Sequence, residues 1–203
     1  MEVYYYTLYI KDTIRSSPLS VLTNAEFQDS IWCKLDSPQN SLVVGVCYRS
    51  TASSRENNTK LLGLLDKAAY VAAKSHLLIF GDFNYPEIDY ASSTVIGGSG
   101  TDAHAFLSKT NDLFLYQHIN DWTRHRIGQQ PSLLDYVFTD EDNVIDDVQF
   151  SAPLGKSDHV GIKLNYIRGQ QVNEESCAKY NYWKGDYADI KKELQNIDWA
   201  KQF

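Results

Sequence analysis

The run His76-Leu77-Leu78-Ile79-Phe80 ends in Gly81-Asp82-Phe83-Asn84, and this junction constrains the fold more than any other segment. A short apolar run closed by a turn signal is the pattern of a buried strand, and glycine lets the backbone turn sharply where it stops. That geometry places Asp82 and Asn84 at the rim of a sheet, where α/β proteins carry their chemistry. A carboxylate and a carboxamide two residues apart suit a phosphate site, because one handles a proton or cation and the other donates to phosphoryl oxygen. Alone, an Asp-x-Asn is more often a polar turn. Two later segments add weight: Ser132-Leu133-Leu134-Asp135-Tyr136-Val137 and Ser157-Asp158-His159-Val160 also set polar groups against a strand.

The pattern around this junction predicts a mixed α/β domain. Residues 27–35 and 42–48 are apolar and β-prone and flank the turn signal Asp36-Ser37-Pro38-Gln39-Asn40, which predicts a hairpin. Residues 57–74 predict a helix, with Leu61, Leu62, Leu65, Ala68, Ala69 and Ala72 on one face and Asn57 or Asn58 as cap. The strand ending at Gly81 follows directly, giving a β-loop-α-β order. Residues 85–101, with Gly97-Gly98-Ser99-Gly100, read as a long loop able to touch a substrate. A second helix is expected over 102–111, capped by Asp102 or Thr101, then strands over 113–118, 136–139, 144–150 and 160–166. At the start, 3–10 reads as a strand and 13–24 as a loop. From 168 the composition turns polar, so the division expected is 1–167 as the main domain and 168–203 as a linker ending in a short amphipathic helix over 186–199.

Composition bounds the function classes. The 203 residues are 43% hydrophobic and 13% aromatic, which excludes general disorder. A net charge of −7, from 19 basic and 26 acidic residues, argues against tight non-specific DNA binding by the chain alone. It does not exclude a nuclease, whose carboxylates hold a cation that bridges to phosphate. Cys33 and Cys47 lie in strand-like runs and read as small buried hydrophobes, as expected in a reducing compartment. The opening residues read as neither signal peptide nor anchor, and no apolar run reaches membrane-spanning length, so neither secretion nor a membrane is expected.

Taken together, 42–50, 78–84, 132–139 and 157–159 resemble the endonuclease/exonuclease/phosphatase superfamily, the DNase-I-like phosphodiesterases. Within it, they are most similar to the endonuclease domain of non-LTR retrotransposon polyproteins. The resemblance covers about residues 4–166. It implies a four-layer αββα sandwich. It also implies that the first third of the domain is missing, because 3–10 looks like the family's mid-domain strand and no Glu stands in the metal-binding motif. The deleted strands should leave an unpaired sheet edge or an exposed apolar face.

The resemblance further implies roles. His159 contacts the scissile phosphate or the attacking water, and Asp135 orients that imidazole. Asp82 handles the proton of the nucleophile or leaving group. Asn84 and Tyr48 donate to phosphate, with Ser132 and Ser157 as supporting hydrogen-bonders, and Asp158 is the remaining metal ligand for magnesium or manganese. Arg124, in Trp122-Thr123-Arg124-His125-Arg126, contacts backbone phosphate or belongs to a solvated loop. The implied function is metal-dependent nicking of target DNA in the nucleus, with the run 180–187 resembling the connector to a reverse transcriptase. Two other readings stay open: a non-catalytic remnant of a retrotransposon frame, and another phosphodiesterase or phosphatase of the superfamily.

Overall fold

Strands buried on both faces build the centre of the molecule, described here by a computed structural model over residues 7–37, 41–167 and 191–192. In chain order the elements are β1 (Ser16–Pro18), α1 (Ser20–Thr23), β2 (Ser30–Leu35), β3 (Leu42–Tyr48), α2 (Arg55–Val71), β4 (His76–Asp82) and β5 (Ile88–Asp89). They continue with β6 (Thr94–Val95), α3 (Asp102–Asp112), β7 (Tyr116–Gln117), β8 (Asp135–Thr139), β9 (Ile145–Ser151) and β10 (Gly161–Tyr166). Six strands form one sheet in the order β1-β2-β3-β4-β8-β7, antiparallel except where β3 and β4 run parallel through the α2 crossover. β9 and β10 make a separate antiparallel pair, and β5 and β6 a small hairpin inside the expected long loop.

Both faces of the six-stranded sheet are covered. Val43, Leu77, Ile79, Tyr136 and Phe138 point to one face and pack with Leu61, Leu64, Leu65 and Ala68 of α2 and Phe106 and Leu107 of α3. Val44, Leu78 and Val137, one residue out of step, point to the other face, where Ile145, Val148, Ile162 and Leu164 of β9 and β10 cover them. This period-two switching of faces explains why the strands read as unbroken apolar runs. Burying each large side chain contributes about 1.5–3 kcal/mol, so the two clusters together fix the strand register. Helices, sheet and second sheet give three of the expected layers among the described residues.

Several expectations shift in detail. Ser54, rather than Asn57 or Asn58, caps α2, its side chain accepting from Asn57 N. Thr101 caps α3. The loop expected over 13–24 contains β1 and α1. The strand expected over 3–10 is not formed in its described part, 7–10, although Leu8 and Ile10 are partly buried against the second cluster and Tyr9 is exposed. Side-chain alternation therefore persists there without a ladder partner among the described residues. The linker and helix expected beyond 168 lie outside the described residues, apart from Lys191 and Lys192.

The second sheet bears on the site. Between it and the main sheet runs a cleft of ≈ 520 Å³ lined by Leu78, Phe80, Val137, Ile162 and Leu164, which reaches Gly81 and Asp135 at one end. Among the described residues, β10 has no partner on the edge away from β9.

Candidate active site

The ends of three neighbouring strands set out the site. Tyr48 on β3 is in register with Asp82 on β4, and Asp82 is in register with Asp135 on β8. All three share the side-chain parity of Val44, Leu78 and Val137, so they form a row across the rim of one sheet face. The local sequence forces β4 to stop there. Gly81 has φ +149 and Asn84 has φ +50, and the Asn84 amide donates to Asp82 Oδ1 at 3.1 Å, closing a turn.

His159 arrives from the segment before β10. Its Nδ1 lies 2.8 Å from Asp135 Oδ2. Its backbone N–H donates to Ser157 Oγ at 3.1 Å, and Val160 N donates to the Thr123 carbonyl at 2.8 Å. Thr123, fully buried, also accepts the backbone N–H groups of Leu134 and Asp135 on its hydroxyl, each at 3.0 Å. One threonine thereby ties the strand bearing the carboxylate to the segment bearing the imidazole. Sequence reading had noted Thr123 only as part of a loop; a lone Thr among polar neighbours carries no sign that its hydroxyl is buried.

Asp82, Asp135 and His159 each offer a ligand atom within 4.8 Å of the others. Burial raises the Asp82 carboxyl to about 6, and repulsion from Asp135 adds to it. The hydrogen bond that His159 donates to the Asp135 carboxylate raises the imidazole above its ordinary range against the cost of burial. Two carboxylates facing each other across a ladder destabilise the sheet unless a proton or cation stands between them. Two carboxylates beside an imidazole make a donor set that a divalent cation fits.

Both shifts carry a stability consequence of one sign. Asp82 and His159 bind protons more tightly in the folded chain, so each contribution is present at low pH and lost as pH rises through its folded pKa. Asp82→Asn removes the first of these. In urea unfolding, that variant should exceed the unsubstituted chain by about 1–2 kcal/mol at pH 8, with the gap closing below pH 4. An Asp82→Asn chain that is less stable at pH 8 would show that the carboxylate is not strained.

The remaining sequence candidates divide. Asn84 lies beside Asp82, with its Nδ2 donating to the Arg49 carbonyl at 2.8 Å. Ser157 holds the His159 backbone as above, while the buried Ser132 hydroxyl has no hydrogen-bond partner among the described residues. Asp158, expected on the metal side, accepts from Arg124 Nε at 2.9 Å and stands outside the group of three. That contact holds its carboxyl below the usual range. Arg124, expected either on DNA phosphate or in a solvated loop, donates to Asp158 and Gln129. Short backbone bridges join Arg124 to Ser132 and to His159, and these cross-links bring the two charges together. Among the described residues no helix is long and apolar enough to cross a membrane.

Similarity to known proteins bears on the family and the fold. The sequence model of the endonuclease-reverse transcriptase family matches residues 42–163. No curated protein matches the chain. Among solved structures, the endonuclease domain of TRAS1, a telomere-specific non-LTR retrotransposon, is similar at TM-score 0.58 and 17% identity over 79% of this chain and 72% of that one. An endonuclease/exonuclease/phosphatase family protein from Leptotrichia buccalis C-1013-b gives 0.47 and 13%, over 68% of this chain and 52% of its own. A Staphylococcus aureus beta toxin with bound magnesium ions gives 0.41 and 16%, over 68% and 57%. The fold is the DNase-I-like one expected, and the family match spans more than half of the sequence, so the chain belongs to the endonuclease-reverse transcriptase family.

Proposed function

We propose that the rim formed by Tyr48, Asp82, Asn84, Asp135 and His159 is a divalent-metal-dependent phosphodiesterase centre acting on DNA. The observation that carries the reading is the 2.8 Å contact between His159 Nδ1 and Asp135 Oδ2 at the side of Asp82. A carboxylate on Nδ1 fixes the imidazole tautomer and turns Nε2 toward a ligand. His159 then donates to a phosphoryl oxygen or aligns the attacking water. In this reading Asp82 takes that water's proton as its oxygen bonds to phosphorus and the phosphorus–ester bond breaks. Tyr48 and Asn84, on the same rim as Asp82, donate to the phosphate in the same reading. Asp82 and Asp135 are the residues that would hold magnesium or manganese, which when bound supplies charge relief on the phosphoryl oxygens. Asp158 is a lesser candidate because it is already paired with Arg124. The parent polyprotein would carry a reverse transcriptase after the polar segment 168–203, and the site of action would be nuclear.

A second reading, an inactive remnant, draws on the same cluster. Among the described residues no glutamate joins it, and Asp135 is shared with His159. We expect weak cation occupancy for this chain alone. In the test, purified chain with magnesium or manganese is incubated with supercoiled plasmid, beside a version joined to a family segment that bears the metal-binding Glu. Trace nicking by the first and robust nicking by the second supports an impaired nuclease domain. No nicking by either leaves the remnant reading standing in place of the nuclease.

A further inference from the structure

Arg49, the residue after β3, is only 7% exposed. A buried guanidinium is tolerated when its donors are used and its plane is packed. Its Nε donates to Asn58 Oδ1 at 2.8 Å, and one terminal nitrogen donates to the Asn84 carbonyl at 2.9 Å and the Phe83 carbonyl at 3.4 Å. The guanidinium carbon lies 3.9 Å from the centre of the Tyr85 ring. Contacts return from the other side: Arg49 N donates to the Asp82 carbonyl at 2.8 Å, and Asn84 Nδ2 donates to the Arg49 carbonyl at 2.8 Å. Behind this exchange, Asn58 Nδ2 donates to Asp102 Oδ2 at 2.7 Å, so helices α2 and α3 both brace the guanidinium.

What needs bracing is the turn. Asn84 has φ +50, a left-handed conformation that asparagine tolerates but still adopts at a cost. We infer that Arg49 is the positioning residue for Asn84. It holds the 83–85 turn so that the carboxamide spends one N–H on the Arg49 carbonyl and stays in hydrogen-bonding contact with the Asp82 carboxyl, where both groups can meet a ligand. Lysine cannot substitute, because one ammonium cannot serve Asn58 and the Asn84 carbonyl in the fixed directions of a guanidinium fork. The positioning stands on geometry alone; what Asn84 does once positioned rests on the phosphodiesterase reading.

The first arm of the test needs no catalysis. In NMR spectra of the chain, Asn84 Cα and Cβ shifts carry the left-handed signature and its Nδ2 protons exchange slowly. Arg49→Lys loses both, and Asp102→Asn loses part of the protection, while the His159 Nδ1 proton on Asp135 is unchanged. A folded Arg49→Lys that keeps the Asn84 signature overturns the proposal. Should Arg49→Lys not fold, the unsubstituted chain decides. Its Arg49 Nε proton must exchange at least about tenfold more slowly than in free arginine, the protection one used hydrogen bond gives, and exchange at the free rate overturns the proposal.

The second arm uses the nicking-competent fusion. Arg49→Lys lowers kcat about ten- to hundred-fold, and adds nothing to Asn84→Ala, because the loss runs through Asn84. Additive losses overturn the positioning role. A fusion with no activity, beside positive NMR results, discards the phosphodiesterase reading and leaves the positioning role intact.

Discussion

His159→Ala should reduce kcat for plasmid nicking by about 10³-fold in the fusion that carries the metal-binding Glu, with KM changed far less. The size follows from what the imidazole is placed to do. Its Nδ1 is committed to Asp135, so its catalytic value is concentrated at Nε2, the atom facing the reacting phosphate in the proposed mechanism. Asp135→Asn should cost about 10²-fold or more, because a carboxamide can present its N–H to Nδ1 and favour the wrong tautomer. The double variant should be little worse than the poorer single one, since the pair acts as a unit. Steady-state nicking kinetics on one supercoiled plasmid at fixed metal concentration measure all three. Full activity in His159→Ala would remove the imidazole from the mechanism.

Gly81→Ala should unfold the chain. A Cβ on Gly81 would stand 1.8 Å from the Cys47 carbonyl oxygen, a backbone atom of the strand paired in register with it. No rotamer change relieves that contact, so β3 and β4 must part at the centre of the sheet. The φ of +149 is also one that a residue with a side chain rarely adopts. Together these should cost more than about 4 kcal/mol, a large part of the 5–15 kcal/mol that holds a domain folded. Gly63→Ala is the matched control. Gly63 is exposed within α2, and a Cβ there meets nothing within 4 Å. That change should stabilise by about 0.5–1 kcal/mol. Thermal unfolding followed by circular dichroism separates the two, and a Gly81→Ala midpoint within a few degrees of the unsubstituted chain would show that the sheet can yield there.

The same glycine shows what sequence makes visible. Strands β3 and β4 were legible because both faces of the sheet are buried and the residues run apolar without a break, and Gly81 marked the stop. The helix between them was legible from its apolar stripe, but its cap was not. Ser54 sits among serines and threonines that satisfy the capping pattern equally well. The pairing of His159 with Asp135 was legible only through the resemblance, since 24 residues separate them and spacing alone says nothing about contact.

Other parts were hidden for a physical reason. The burial of Arg49 had no local signal because arginine is usually exposed, and it depends on Asn58 of α2 and on Asn84 and Tyr85 of the turn after β4. For Asp158 the resemblance implied a metal role, and its contact with Arg124 had no signal in the sequence. The backbone bridges that swing Arg124 onto it are long-range events that no local pattern encodes. The start of the chain misled in the opposite way. The alternation at 7–10 is real, yet alternation without a neighbouring strand does not make a ladder.

In the proposed mechanism a divalent cation is held where Asp82 and Asp135 face each other. Manganese titrated into isotope-labelled chain tests it, because a paramagnetic ion broadens the signals nearest to it. At millimolar manganese, the amides of Asp82, Phe83, Asn84, Asp135 and His159 should broaden first, excess magnesium should restore them, and Asp82→Asn should abolish the effect. Broadening that begins at the exposed acidic turn of 140–142, with the cluster untouched and Asp82→Asn without effect, would contradict it.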